Sequence, residues 1–248
     1  ADRVELNSAL FLGGLTPSLG ALELAVLTTE PGEDGVIHIT MEVAEESIQK
    51  PVIRCDESLY YDMLSAFCKS LRGSDADAAM AWFARLLYAG VDPRLIARRI
   101  IAHASEDVGL ANPTAMLQAV AASQALEAVG LPEARLPLAE AAVLLATAPK
   151  SNSAHNAIIA AMEDIQRGAV GDIPRHLKNV HADSAGADKA PVYKYPHNYP
   201  GHYVQQRYLP ESLGDTHYYA YGENKTEQAA KRYWDDIKGK NGNGPAVT

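Results

Sequence analysis

Between residues 57 and 168 an Ala- and Leu-rich stretch is broken by glycine at near-regular intervals. Gly73, Gly90, Gly109, Gly130 and Gly168 each close an amphipathic run. A helix commonly ends where one residue takes positive φ, and glycine does so without a Cβ penalty. The expected starts agree with these stops. Ser74 followed by Asp77 resembles a capping box, and Asp92-Pro93 and Asn112-Pro113 each place a side-chain acceptor before a proline at the first helical position. Leu59, Met63, Phe67 and Leu71, then Ala79, Phe83 and Leu86-Leu87, recur at helical spacing. The pattern predicts helices over 57–72, 75–89, 93–108, 113–129, 133–147 and 153–167. Connections this short favour antiparallel neighbours, so the fold class is all-α, a helical bundle.

The flanks differ in character. In residues 1–53 Leu19, Leu22, Glu23, Ala25 and Val26 suit one helix, and Thr40 can cap another reaching about Gln49. Pro31-Gly32-Glu33-Asp34-Gly35 between them reads as a turn, and Ile37-His38-Ile39 as a short extended piece. Residues 54–213 hold the bundle, a loop with a helical turn near Pro174–Asn179, and an extended arm. Nine of the twelve tyrosines lie at or beyond Tyr193, beside Pro, His, Asn and Gly. Pro196 and Pro200 keep the arm extended, so it is expected to be ordered against its own bundle or a second subunit. Residues 214–248 form an unassigned tail, expected to be partly disordered from about Asn241.

Charge and motifs remove several functions. The net charge is −9, and residues 1–60 carry 11 acidic against 3 basic side chains, so composition shows no strongly basic face for nucleic acid and any DNA contact must come from a local patch. No run of 18 apolar residues and no basic-apolar leader occur, which argues against a membrane partner. The chain begins with Ala rather than Met, as a processed or truncated product would. Cys55 and Cys68 are too few for a disulfide scaffold or a four-thiolate zinc site, and a reducing cytosolic setting follows. Cys68, next to Phe67 and near Leu71, reads as a buried small hydrophobe.

Lys225-Thr226 is preceded by Asn224 rather than Gly, so no phosphate-cradling loop is present and no ATP hydrolysis is expected. His197, His202 and His217 read as loop histidines packed on tyrosines, not as metal ligands. Glu106-Asp107 at a helix end reads as a structural ion pair rather than an acid–base pair. No catalytic, cofactor-binding or metal-binding residue is assigned. Arg94, Arg98 and Arg99 on one helix, with Lys150 in a Lys-Ser-Asn turn, are the candidates for phosphate contact with DNA.

Several segments together resemble a known family. Ser65-Ala66-Phe67 and Lys69-Ser70-Leu71-Arg72-Gly73-Ser74-Asp75 are similar to the opening of the C-terminal domain of RarA/MgsA proteins. These are AAA+ replication-recombination ATPases related to the Werner-helicase-interacting ATPase. The likeness continues through Ile96-Ala97-Arg98-Arg99, Ala104 to Pro113 (ASEDVGLANP) and Ala146 to Asn152 (ATAPKSN). It resumes at Tyr193-Lys194-Tyr195-Pro196-His197 and Gln205 to Pro210 (QQRYLP), covering about residues 57–213.

The resemblance implies a bundle like the clamp-loader collar, preceded by an AAA+ lid-like unit over residues 1–53. It also implies self-assembly, as a homotetramer first and a dimer second, in replication-fork maintenance and DNA recombination or repair. Weak, non-specific DNA contact, replication partners such as single-stranded DNA-binding protein, and a cytoplasmic, nucleoid-associated location go with it. The full-length family uses ATP and Mg²⁺, but no cofactor is expected in this chain. Where the lid has Gly-Asp-x-Arg with a nucleotide-sensing arginine, this chain reads Gly13-Gly14-Leu15-Thr16. Two rivals stand beside this reading: a stand-alone module regulating RarA-type rings, and a small-molecule enzyme using the Tyr/His-rich segment.

Overall fold

The computed structural model describes residues 3–6, 25–48, 57–178 and 193–241. Among these, eight α-helices dominate: α1 (Met41–Ile48), α2 (Glu57–Arg72), α3 (Ala76–Tyr88), α4 (Pro93–His103), α5 (Thr114–Val129), α6 (Arg135–Thr147), α7 (Ser153–Gln166) and α8 (Lys225–Asn241). The protein is all-α in class. A single parallel pair, β1 (Arg3–Leu6) with β2 (Val36–Ile39), is in register from Arg3 opposite Val36 to Leu6 opposite Ile39. The N-terminal unit is therefore not wholly helical. The β-branched Val36-Ile37 and Ile39 favour an extended backbone, and Ile39 is buried.

The chain packs as two compact units that interleave in sequence. The first comprises Ala1–Ala104 and Thr114–Ala148; the second comprises Ser105–Pro113 and Pro149–Thr248. In the first, α2 packs on α3, α3 on α6, α6 on α5 and α5 on α4. The apolar positions at helical spacing fill this core. Met63, Phe67 and Leu71 of α2 meet Phe83 and Leu86 of α3, with the Phe67 and Phe83 rings 6.1 Å apart. Ile96 and Ile100 of α4 and Leu138 and Leu145 of α6 are fully enclosed. α5 and α6 pack through alanine-rich buried faces, with Ala115, Ala119 and Ala122 buried on α5 and Ala141, Ala142 and Ala146 on α6. Small residues leave a groove of about 600 Å³ along this pair, lined by Ala121, Ala125 and Leu144.

Helix ends follow the local chemistry, with one correction. Asp92 caps α4 as expected, its carboxylate accepting from the Arg94 amide at 2.9 Å with Pro93 next in line. At α3 the cap is Asp75, not Ser74. Ser74 takes φ +61°, the left-handed position that Gly73 was expected to fill, and Asp75 accepts from the Ala78 amide at 2.8 Å. Replacing Asp75 with alanine is expected to cost about 1 kcal/mol in chemical denaturation. An equal loss from Ser74→Ala with Asp75→Ala neutral would return the cap to Ser74.

The second unit has few buried apolar groups. Val108, Ala111 and Val204 are enclosed, and beside them lie three buried polar residues, Asp107, Ser151 and Glu227. The helix expected over 93–108 ends at His103 and runs into a wider turn over Ala104–Val108, then a 3₁₀ turn over Gly109–Ala111. The arm from Tyr193 is extended apart from single turns at Pro196–Asn198, Pro200–His202 and Glu211–Leu213. Residues 214–241, to which the sequence reading assigned no element, contain the 17-residue α8.

Candidate functional site

Three segments converge in the second unit: Ser105–Pro113, the turn after Pro149, and the start of α8. The Ser151 amide donates to the Asp107 carbonyl at 2.8 Å, and the Thr226 hydroxyl to the Ala111 carbonyl at 3.0 Å. Gly109 has φ +46°, and a Cβ there would lie 2.7 Å from the Ser151 carbonyl oxygen. Only glycine allows both that conformation and that approach.

At the centre of this junction is the Glu227 carboxylate, only 2% exposed. Five donors reach it: the hydroxyls of Ser151 and Ser153, both at 2.5 Å, the Tyr219 hydroxyl at 2.8 Å, the Gly222 amide at 3.1 Å and the Asn224 side-chain amide at 2.5 Å. The Asn224 side-chain oxygen in turn accepts from the Glu227 amide at 3.0 Å, a reciprocal cap at the start of α8. The carboxylate also sits in the first helical turn, where the macrodipole favours negative charge.

Burial alone would raise the Glu227 pKa, but the hydrogen bonds from Ser151, Ser153, Asn224 and Gly222 outweigh it and hold the group at about 2. Burial, with the hydrogen bond to Glu227, pushes Tyr219 up to about 12. A carboxylate this well supplied with donors has no basicity near neutral pH and no free lone-pair direction for a metal. Its chemistry is that of a tie. It joins the Lys-Ser-Asn turn to the C-terminal segment.

Lys150, Asn152, Asn156 and Tyr218 line a shallow pocket of roughly 290 Å³ beside the junction. Partial burial pulls the Lys150 ammonium below its usual pKa, opposed by the charge of Asp107. Tyr218 donates to Asp164 at 2.9 Å. That bond, with the Arg167 cation, lowers the Asp164 pKa.

The four residues expected to meet DNA are not gathered into one patch within either unit. Arg94 is exposed, but its Nε is paired with Glu127 of α5 at 3.0 Å. Arg98 and Arg99 are exposed on α4 with no ion pair among the described residues. Lys150 belongs to the second unit and is half-buried. Cys68 is half-buried rather than enclosed, and Cys55 and the Gly13–Thr16 stretch lie outside the described residues. His197 packs on Tyr195 and His202, with ring centroids 5.1 and 4.8 Å apart, as loop histidines beside tyrosines do. Sequence reasoning quoted Ser151 but missed its partner. The signal was present in Asn224-x-x-Glu227, a capping pattern at the head of a 17-residue helix.

Two family matches make this helical chain a C-terminal region of an AAA+ ATPase. Residues 13–72 match the family model described as "AAA C-terminal domain", and residues 73–238 match "MgsA AAA+ ATPase C terminal". The chain belongs to the RarA/MgsA family and corresponds to its C-terminal part. It is 48% identical over 233 residues to replication-associated recombination protein A of Bacillus subtilis, covering 91% of this chain and 54% of that protein. To an uncharacterised AAA domain-containing protein of Mycobacterium tuberculosis it is 44% identical over 221 residues, covering 88% and 48%. Replication-associated recombination protein A of Escherichia coli K12 is 36% identical over 211 residues, covering 84% and 47%. The chain thus spans about half the length of these curated relatives. No helix among the described residues is long and apolar enough to cross a membrane.

Proposed function

We propose that this chain is the assembly region of a RarA-like AAA+ ATPase, joining subunits into a homotetramer, or failing that a dimer, that serves replication-fork maintenance and recombination. The observation that supports this most is α7. The helix has no buried residue, and Ile158, Ile159, Met162 and Ile165 along it are 46–57% exposed. Ile158, Met162 and Ile165 fall one and two turns apart, a continuous apolar stripe of the kind that marks an association surface. Val170 and Ile173, also exposed, extend the apolar character beyond the helix.

The chain's part in the ATPase is structural: it holds subunits in register while nucleotide and Mg²⁺ are handled elsewhere. Arg98 and Arg99 supply weak, sequence-independent phosphate contact in a cytoplasmic, nucleoid-associated setting. Light scattering of the intact chain is expected to give an assembled mass, and calorimetry no Mg²⁺-dependent ATP binding. A stable monomer at micromolar concentration overturns the assembly reading. Stoichiometric ATP binding overturns the structural one.

A further inference from the structure

The tyrosine arm has a composition unlike the rest of this acidic chain. From Tyr193 to Pro210 there are five tyrosines, two histidines, Lys194 and Arg207, and no acidic residue. Three of the rings are displayed together, with Tyr193 40%, Tyr195 54% and Tyr208 51% exposed. They are held rather than loose. Gln206 accepts from the Lys194 amide at 3.1 Å and donates to the Lys194 carbonyl at 2.7 Å and the Tyr208 hydroxyl at 2.8 Å. Tyr193 is hydrogen-bonded to Tyr208, and His197 continues the aromatic surface from Tyr195 to His202. Arg207 donates to the carbonyls of Leu209 at 3.2 Å, Pro210 at 3.4 Å and Gly214 at 2.8 Å, which fixes its cation against the turn that follows.

This patch differs from the α7 stripe in a way that selects its partner. Its exposed large hydrophobic side chains are all rings; Val204 is buried and Leu209 half-buried. Aliphatic knobs suit another protein's core-like surface. Preset rings with cations and amides between them, and no carboxylate, suit the π-faces of bases on an anionic backbone. Bases offer those faces only when unpaired. We propose that Tyr193, Tyr195 and Tyr208, with His197 and His202, form a stacking platform for single-stranded nucleic acid. Its contacts are sequence-independent, with the exposed Lys194 as the cation for phosphate and Arg207 adding positive charge to the segment. The platform does not depend on the assembly reading.

The test uses the intact chain and a fluorescent oligothymidine, with binding followed by anisotropy. Tyr195→Ala and Tyr208→Ala are each expected to weaken binding about tenfold. Tyr195→Phe, which keeps the ring, is expected to bind as the parent does, and a duplex of equal length to bind more weakly than the single strand. Thermal melting of each variant separates a lost ring from a lost fold. Unchanged affinity in both alanine variants, equal loss in Tyr195→Phe, or equal affinity for the duplex overturns the proposal. Alanine variants that alter the mass in light scattering but not oligothymidine binding also overturn it, and mark the rings as a protein contact.

Discussion

Replacing Glu227 with alanine is expected to destabilise the second unit by about 3 kcal/mol or more, because it strands a set of donors that were arranged around one charge. Ser151, Ser153, Tyr219, Asn224 and the Gly222 amide all lose an acceptor at once. Hydrogen exchange should show protection lost first in α8 and the turn after Pro149, while the first unit's core helices keep theirs. The same carboxylate gives a pH signature. Its pKa falls from an ordinary 4.5 to about 2 on folding, so its stabilisation is complete above the unfolded value and is lost as pH falls through the folded one. A difference of this size corresponds to roughly 3 kcal/mol. Acid unfolding of α8 should therefore spread between those two values in the parent chain and be flattened by Glu227→Gln. An acid limb unchanged in Glu227→Gln would show that the stabilisation comes from elsewhere.

If α7 joins subunits as proposed, placing glutamate at both Ile158 and Ile165 is expected to dissociate them without unfolding the subunit. Neither residue is buried in its own chain, so helix content and melting temperature should change little. Two charges set into an apolar contact, at about 2 kcal/mol each, weaken association close to a thousandfold. Light scattering reads the outcome directly. An unaltered mass in this double variant would move the interface off α7 and leave the Ala-lined groove of α5 and α6 as the next surface to test.

The bundle was readable because its punctuation is local. Helices α2 to α7 begin and end within two residues of the expected limits at nearly every boundary, since Asp92-Pro93, Gly90, Gly130 and Gly168 each act within one turn of their own position. Where the reading slipped, a neighbour took over the same task. Ser74 took the left-handed turn and released Asp75 to cap α3. The larger omissions are long-range. β2 is four residues long and pairs with Arg3–Leu6 across a connection no local pattern announces. The Lys-Ser-Asn turn could be quoted as a motif, but its meaning lies 76 residues away in Glu227. α8 was missed even though Asn224-x-x-Glu227 heads it, because its Lys- and Asp-rich composition supplies few apolar side chains from which to read a helix.

The interleaving of the two units bears on the order in which this protein can be finished. The segment Ser105–Pro113 is made and released well before the groups that satisfy it. Ala111 waits 115 residues for the hydroxyl of Thr226. At ordinary translation speeds that is on the order of ten seconds, during which the first unit's helices can already pack while this stretch still lacks its partners. The first unit's alanine-rich helices are therefore all made before the second unit can close. Helix α8 completes the second unit, its Thr226 hydroxyl meeting Ala111 and its Glu227 carboxylate the turn after Pro149.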